Sequence, residues 1–266
     1  MGVDSCFRYD GTMEGWLCCV FETYRLKAMP QQIIGPEGQE LSLFGCRQVE
    51  TVEAHADRVR RGIREKLGEG FWLTLRHLFC TCLPDRELVM LDLTCRGFRY
   101  GPLILQVEGD PVVAKARKAL TRLFSESHLL KGFIRFSVQS GVLVTTIGPK
   151  NFVLPYLAAH FRHRFPEERF LIYDEIHRMA LVYRPHETAI VPMEDFRPER
   201  PDEAELACRR LWRLFYDTIE IKPRHNPKCR QTHMPKRYWK YMTEFTEDAV
   251  EPGEKSIPGG KWKNSQ

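Results

Sequence analysis

Apolar residues recur every three or four positions through most of the first 128 residues, which is the pattern of helices that bury one face. The clearest stripe begins at Val52 and ends at Leu67, and Gly68 is placed to end that helix. The same periodicity predicts four further helices, over residues 12–27, 71–83, 85–96 and from 110 onward. We therefore expect a mostly helical part that covers residues 1–128.

The periodicity changes to two after residue 129, as it does in β-strands with one buried face. Ile134, Phe136 and Val138 alternate with other residues, and a turn at residues 139–141 leads into a second strand. A helix that Asn151 could cap follows. Three more strands are predicted over residues 169–173, 178–183 and 188–191. Residues 129–193 are thus predicted to form an antiparallel β-meander with one helix inserted after its first hairpin.

A strongly amphipathic helix is predicted to begin at Asp202, after a linker that contains three prolines. We expect its apolar side chains to face the interior and its arginines to face solvent. The predicted interior residues are Leu206, Leu211, Phe215 and Ile219, and the predicted solvent-facing residues are Arg209, Arg210 and Arg213. The fold class is therefore α+β with C-terminal helices, in a single domain over residues 1–249. Residues 250–266 are predicted to be a disordered tail.

Composition describes an ordinary globular protein, with 43% hydrophobic and 28% charged residues. No stretch reaches the ~20 apolar residues that span a bilayer, and no signal peptide is recognisable. We expect a soluble, cytoplasmic protein with no membrane partner. The nine cysteines include no C-x-x-C pair. We therefore expect reduced cysteines, no metal site and no cofactor.

Positive charge is concentrated near the C-terminus. The formal net charge is +5, yet residues 222–241, which we call the basic segment, contain seven cations and no acid. These cations are Lys222, Arg224, Lys228, Arg230, Lys236, Arg237 and Lys240. The other 246 residues therefore have a net charge of −2. Such a local concentration creates a binding potential that the average composition hides.

Aromatic residues lie among these cations, and this combination is typical of nucleic-acid binding. Lysine and arginine contact phosphates, while aromatic rings stack on bases. The predicted nucleic-acid-binding residues are Arg224, Asn226, Lys228, Arg230, Lys236, Arg237, Tyr238, Trp239 and Lys240. The alternative is that Tyr238 and Trp239 pack into the core and that the cations form a solvated face.

The tripeptide Arg224-His225-Asn226 combines a bidentate donor, a group that titrates near neutral pH and an amide. A catalytic or base-reading role is one interpretation. The other is that Arg224 and Asn226 hydrogen-bond the backbone of their own loop. No phosphate-binding loop, dinucleotide fingerprint, nucleophile elbow or H-E-x-x-H metal motif occurs. No catalytic residue is assigned, and enzymatic activity stays an open alternative.

Motifs at the two ends of the chain resemble those of a known family. The opening motif is Tyr9-Asp10-Gly11-Thr12 with Gly15, followed by Val20 to Tyr24. The closing motif is Arg224-x-Asn226, followed by Met234-Pro235-Lys236-Arg237-Tyr238-Trp239 and Glu244. Over about residues 7–245 the chain resembles the bacterial "probable DNA metabolism protein" family, also described as a domain of unknown function. Its members are typically encoded beside a radical-SAM protein thought to act in DNA modification or repair, and some are fused to a uracil-DNA-glycosylase-like domain.

The resemblance implies a DNA setting but no particular reaction. We expect this chain to lack the glycosylase-like domain of the fused members, and any base excision to come from another protein. We interpret the chain as a nucleic-acid-binding accessory or adaptor protein of DNA repair or DNA metabolism that acts with a radical-SAM partner. One alternative is an enzyme that acts on DNA or a nucleotide through residues 224–226. The other is a pure protein-interaction module whose basic segment meets an acidic partner.

Overall fold

A computed structural model describes residues 6–36, 38, 45–219, 221, 226–243 and 245, and only the backbone of residues 216 and 217. The chain forms two compact units. Unit 1 consists of residues 1–129 and 149–157, and unit 2 consists of residues 130–148 and 158–266. The α+β fold class is confirmed, with helices at both ends of the chain and a sheet in its middle. The single domain predicted over residues 1–249 stays a prediction, and the predicted tail lies outside the described residues.

Unit 1 combines a small parallel sheet with a set of helices. Its elements are β1 (Cys6–Arg8), α1 (Met13–Leu26), β2 (Gln32–Ile34), β3 (Arg47–Gln48), α2 (Glu53–Leu67), α3 (Glu69–Phe79), α4 (Arg86–Tyr100), a first 3-10 helix (Pro102–Gln106) and most of α5 (Pro111–Phe133). Strand β1 lies between β2 and β3 and is parallel to both. The stripe predicted for α2 is confirmed, since Ala56, Ile63 and Leu67 are buried. Gly68 ends this helix with a positive φ of 85°.

The opening motif is a helix start. Asp10 Oδ1 accepts hydrogen bonds from the Thr12 backbone N–H (2.9 Å) and the Thr12 hydroxyl (2.7 Å). Asp10 Oδ2 accepts one from the Thr51 hydroxyl at 2.7 Å. Thr12 caps α1 by accepting from the Gly15 N–H at 2.9 Å, as predicted. Gly15 is needed because an added Cβ would overlap Asp10 Oδ1 and lie 2.9 Å from Thr51 Oγ1.

Hydrogen bonds join the same region of the chain to α4. The Tyr9 hydroxyl donates to Glu87 Oε1 at 3.0 Å, and the indole N–H of Trp16 donates to the Glu87 carbonyl at 3.1 Å. Tyr9 and Trp16 are both buried. Burial, followed by the nearby Glu87 carboxylate, raises the pKa of Tyr9 well above its usual value. Tyr9 of the opening motif and the adjacent Trp16 therefore join the start of α1 to α4 within unit 1.

A buried carboxylate joins α5 to the chain before α6 (Leu154–Arg164). Glu126 is 3% exposed and accepts hydrogen bonds from the Lys150 N–H (3.1 Å), the Asn151 N–H (2.8 Å) and the Asn151 side-chain amide (2.6 Å). Asn151 Oδ1 accepts from the Cys82 N–H at 2.9 Å. The helix cap predicted for Asn151 is thus wrong, because α6 begins three residues later and the side chain serves this network.

Unit 2 is built on a five-stranded sheet. Its elements are β4 (Ser137–Gln139), β5 (Val142–Ile147), β6 (Phe170–Asp174), β7 (Met179–Arg184), β8 (Glu187–Pro192), α7 (Glu203–Thr218), α8 (Pro227–His233) and a second 3-10 helix (Lys236–Tyr241). The strands lie in the order in which they occur along the chain, as a meander does. The buried face includes Phe170, Ile172 and Leu181.

One strand pair corrects the predicted antiparallel meander. Strands β5 and β6 are parallel, with Leu143 opposite Phe170 and Ile147 opposite Asp174. The other pairs, β4–β5, β6–β7 and β7–β8, are antiparallel as predicted. The physical reason is the inserted helix, because α6 returns the chain to the end of the sheet where β5 began. The sheet is therefore mixed.

The orientation predicted for α7 is wrong at most of the named positions, although Arg210 is exposed as predicted and Leu206 is half-buried. Asp202 caps this helix as predicted, accepting from the Glu205 N–H at 2.8 Å. However, the side chains predicted to lie inside are largely exposed: Leu211 is 66%, Phe215 52% and Ile219 57% exposed. Arg209, predicted to face solvent, donates to Ser137 Oγ at 2.6 Å in β4. Amphipathicity defines two faces of a helix, but the partners that each face finds decide which one is buried.

Two cysteines correct the expectation that all nine are reduced. Cys6 in β1 and Cys46 next to β3 form a disulfide, with their Cα atoms 4.5 Å apart. The two cysteines are 40 residues apart in sequence, so their spacing does not indicate that they pair. The pairing of β1 with β3 brings them together. The other seven cysteines are free thiols. None of the helices in the described part of the chain has the length and apolarity that a membrane crossing requires.

Candidate nucleic-acid interface

The described part of the basic segment folds into two short helical elements. Asn226 caps α8, because its Oδ1 accepts from the Cys229 N–H at 3.0 Å, and Pro227 occupies the first helical position. The sequence carried this Asn-Pro start signal, but α8 was not predicted. Lys222, Arg224 and His225 lie outside the described residues. Asn226 thus hydrogen-bonds the backbone close to it in sequence, as the second interpretation of the tripeptide predicts.

Four described cations of the segment are exposed to solvent, namely Lys228 in α8 and Lys236, Arg237 and Lys240 in the second 3-10 helix. Within the described part of the chain, no acidic side chain forms an ion pair with Lys228 or Lys236. Arg237 donates to the Tyr238 hydroxyl, and its guanidinium lies 4.6 Å from the Tyr238 ring. Exposed ammonium groups without acidic partners can neutralise phosphates at little desolvation cost.

Trp239 lies at the centre of a cluster of aromatic rings and cations. Its ring stacks on Phe245, with centroids 4.5 Å apart and planes 18° from parallel. Arg230 lies 5.1 Å and Lys236 5.9 Å from the Trp239 ring centroid. The indole N–H donates to the Met234 carbonyl at 3.0 Å, which fixes the ring. Trp239 is half-buried, and Phe245 covers part of one face, so less of the ring is open to a base than the sequence suggested.

Tyr238 corrects the prediction that this residue offers a stacking face. It is 1% exposed, and its ring lies 5.4 Å from that of Phe133 at the end of α5. A base cannot reach a ring that the core covers. Tyr238 therefore packs into the core, as the alternative prediction has it, whereas Trp239 is only partly buried.

Lys240 is a cation of the segment that has an acidic partner. It forms an ion pair with Glu175, at the end of β6, with a distance of 2.7 Å, and the Tyr241 hydroxyl donates to the same carboxylate oxygen at 2.6 Å. Burial opposes ionisation of Glu175, but the bonds from Lys240 and Tyr241 prevail and lower its pKa. Burial and the Glu175 carboxylate raise the pKa of Tyr241 to about 12. Lys240 therefore anchors the segment to the sheet of unit 2.

The structure brings Arg230, Lys236 and Trp239 together, while Lys240 points to Glu175. The sequence did not indicate the roles of Glu175 and Phe245, because they depend on packing between distant residues. No group of His, Cys, Asp and Glu side chains among the described residues is arranged to hold a metal ion. What the arrangement can do is attract a polyanion to exposed cations next to one partly exposed indole ring.

Comparison with known proteins places these residues in a family. A family model described only as a domain of unknown function, DUF4130, matches residues 84–244. The match includes the whole closing motif, from Arg224 to Glu244, but not the opening motif at residues 9–24. It confirms the part of the resemblance that concerned a domain of unknown function. A search of curated proteins finds no match.

Proposed function

We propose that this chain, which belongs to the DUF4130 family, is a nucleic-acid-binding accessory protein of DNA repair or DNA metabolism. In this proposal the basic segment holds a nucleic-acid backbone, and another surface docks a protein partner. By the resemblance stated above, that partner is a radical-SAM protein, and any uracil-DNA-glycosylase-type activity belongs to a separate protein. The asparagine of the Arg-His-Asn tripeptide caps α8, so it lends no support to the alternative of an enzyme acting through that tripeptide.

The observation that supports the proposal most is that Lys228, Lys236 and Arg237 are exposed in an acid-free segment. Of these, Lys236 lies next to the Trp239 ring. Each cation that neutralises a phosphate releases counterions, so binding through these residues must weaken as salt rises. The negative net charge of the rest of the chain makes non-specific attraction elsewhere a weaker source of binding. We therefore expect the affinity for nucleic acid to depend on salt, and this dependence to come from the cations of the basic segment.

We expect the double variant Lys228→Gln/Lys236→Gln to bind DNA of about 20 nucleotides at least tenfold more weakly than the parent at about 50 mM salt. The slope of log affinity against log salt should become shallower by about 1.5, because two phosphate contacts are lost. Fluorescence anisotropy with single-stranded and duplex DNA at about 50 and 200 mM salt measures both quantities.

The matched control is Lys115→Gln/Lys118→Gln, which removes the same two charges from exposed positions of α5. This control should leave affinity and slope nearly unchanged. Binding that ignores salt, or that falls equally in both double variants, would show that the basic segment does not hold the nucleic acid.

The exposed apolar face of α7 supports the adaptor part of the proposal. Leu211, Leu214, Phe215 and Ile219 follow one another at helical spacing, and each is more than half exposed. An apolar surface of this kind is typical of a site that contacts another protein. It also favours the second candidate function, a protein-interaction module, because it supplies a docking face that needs no nucleic acid.

We expect Leu211→Glu/Phe215→Glu to abolish co-purification of the radical-SAM protein from nuclease-treated native cells. The control Tyr100→Glu/Leu103→Glu changes two equally exposed positions of unit 1 and should retain the partner. Retention of the partner by the α7 variant would contradict docking on this face. Loss of the partner with Lys228→Gln/Lys236→Gln after nuclease treatment would favour the interaction module, in which the basic segment itself meets an acidic protein.

A further inference from the structure

Unit 2 contains a cavity of about 530 Å³ whose lining includes no residue of the basic segment. Its aromatic lining includes Phe136, Phe161, Phe165 and Trp212. The ring of Phe136 meets those of Phe161 and Phe165 edge-on, at centroid distances of 5.3 and 5.5 Å. This packing gives the cavity a rigid apolar wall. Its volume is in the range of about 300–1,000 Å³ that small-molecule sites occupy.

The same cavity is lined by more cations than acids. The lining cations are Lys131, Arg135, Arg164 and Arg209, and the lining acid is Glu205, which bonds Arg209 at 2.9 Å. Arg135 donates to the Gly132 carbonyl at 2.8 Å and lies 5.7 Å from the Trp212 ring. Lys131 and Arg164 form no ion pair with any acid in the described part of the chain. A half-buried ammonium and an exposed guanidinium thus remain available for an anionic ligand.

His160 lies next to Phe161, a residue of the cavity lining. It precedes Phe161 in α6, and its Nε2 is buried without a hydrogen-bond partner among the described residues. Burial lowers the pKa of His160, and the charges of Lys131, Arg164 and His163 lower it further. Two of these three cations line the cavity.

An aromatic wall next to cations fits a ligand that carries a flat ring and a phosphate. The ring can stack, and the phosphate can receive charge-assisted hydrogen bonds from Arg164 and Lys131. Thr243, just beyond the second 3-10 helix, lines the same cavity, so the chain of the basic segment leads directly to it. We propose that this cavity binds one unpaired or terminal nucleotide of a DNA strand through its base and its phosphate. This inference rests on the proposed function, because the basic segment would hold the rest of the strand.

The test is calorimetric titration of the full chain with each of the four deoxynucleoside 5′-monophosphates. The corresponding deoxynucleosides and inorganic phosphate are titrated separately. If the base and the phosphate bind together, the monophosphates should bind at least tenfold more tightly than either part, and they should quench the fluorescence of Trp212. Equal affinity for inorganic phosphate and the monophosphates would overturn the proposal, because it would leave a simple anion site.

The variant Lys131→Gln/Arg164→Gln should weaken binding of the monophosphates at least tenfold, and Trp212→Leu should do so through loss of the aromatic wall. Lys118→Gln/Arg162→Gln is the matched control. Both of its positions are exposed, they lie on the same two helices, and neither lines the cavity. This control should bind as the parent does. Equal loss in the control and in the cavity variant would overturn the assignment of the site.

The two proposals fail in distinguishable ways. If oligonucleotides bind with the expected salt slope but monophosphates do not bind, the cavity assignment is wrong and the proposed function stands. If monophosphates bind and respond to Lys131→Gln/Arg164→Gln while oligonucleotides do not bind, the cavity is a nucleotide site and the proposed function is wrong. Circular dichroism of each variant establishes that a loss of binding does not come from unfolding.

Discussion

Replacement of Glu126 by alanine is expected to lower the free energy of unfolding by about 3–5 kcal/mol, because it leaves buried N–H donors without an acceptor. Glu126 receives the N–H groups of Lys150 and Asn151 and the side-chain amide of Asn151. The carboxylate is 3% exposed, so water has little access to replace it. Urea denaturation followed by circular dichroism should show the midpoint moving by roughly 1 M or more.

Hydrogen exchange separates this specific effect from general destabilisation. In Glu126→Ala, the exchange rates of the amides around residues 149–157 should rise above those of the parent protein. The rates in the β6–β7–β8 meander should rise less. Glu168→Ala, which removes a carboxylate from an exposed position, should leave the midpoint unchanged. A midpoint for Glu126→Ala that matches the parent protein would show that the network contributes nothing to stability.

Gly15→Ala is expected to destabilise the protein by about 2–4 kcal/mol, because the new methyl group would displace the Asp10 carboxylate from the start of α1. Asp10 would then lose its bonds to the Thr12 backbone and to the Thr51 hydroxyl. Thermal unfolding should show the melting temperature falling by several degrees, at roughly 2–4 °C for each kcal/mol.

Gly62→Ala is the control, since it makes the same substitution inside α2, where the nearest atom to an added Cβ is in Phe98 at 4.0 Å. It should stabilise the protein by about 0.5–1 kcal/mol, because alanine is the better helix former. If Gly15→Ala lowers the stability and Gly62→Ala raises it, the result would establish that Gly15 is needed because the chain packs closely around it. Destabilisation by both would point instead to a general intolerance of helix substitutions.

Local signals allowed much of the fold to be predicted from the sequence. Thr12 and Asp202 cap the helices that their positions indicated, and Gly68 ends α2. These features depend on neighbours within four residues, so a single sequence contains the necessary information. The three antiparallel pairs of unit 2 were predictable for a similar reason, because consecutive strands joined by short turns pair with each other.

The errors concern contacts between residues that are distant in sequence. The parallel pairing of β5 with β6 depends on the path of α6, and the disulfide of Cys6 depends on the pairing of β1 with β3. The outward apolar face of α7 depends on the acceptor that Arg209 finds in Ser137. Periodicity identifies faces and elements, but it contains no information about which surface meets which.

The candidate site shows the same division. The sequence identified the cations and Trp239, because composition and charge are local properties. It did not distinguish Lys228 and Lys236, which have no acidic partner among the described residues, from Lys240, which pairs with Glu175. It also placed Tyr238 with Trp239, although only Tyr238 is fully buried. The cationic cavity was not predicted at all, since its lining comes from α5, α6, α7 and the sheet.

The interleaving of the two units determines how the gene can be divided. The chain passes from one unit to the other after residues 129, 148 and 157, so no single truncation yields either unit intact. A gene fragment for residues 84–244 would encode α4 without α2 and α3, against which it packs. Met90 and Leu91, fully buried in the whole chain, would then meet solvent and favour aggregation. The segment that defines family membership is therefore shorter than the segment that must be expressed for unit 1 to fold.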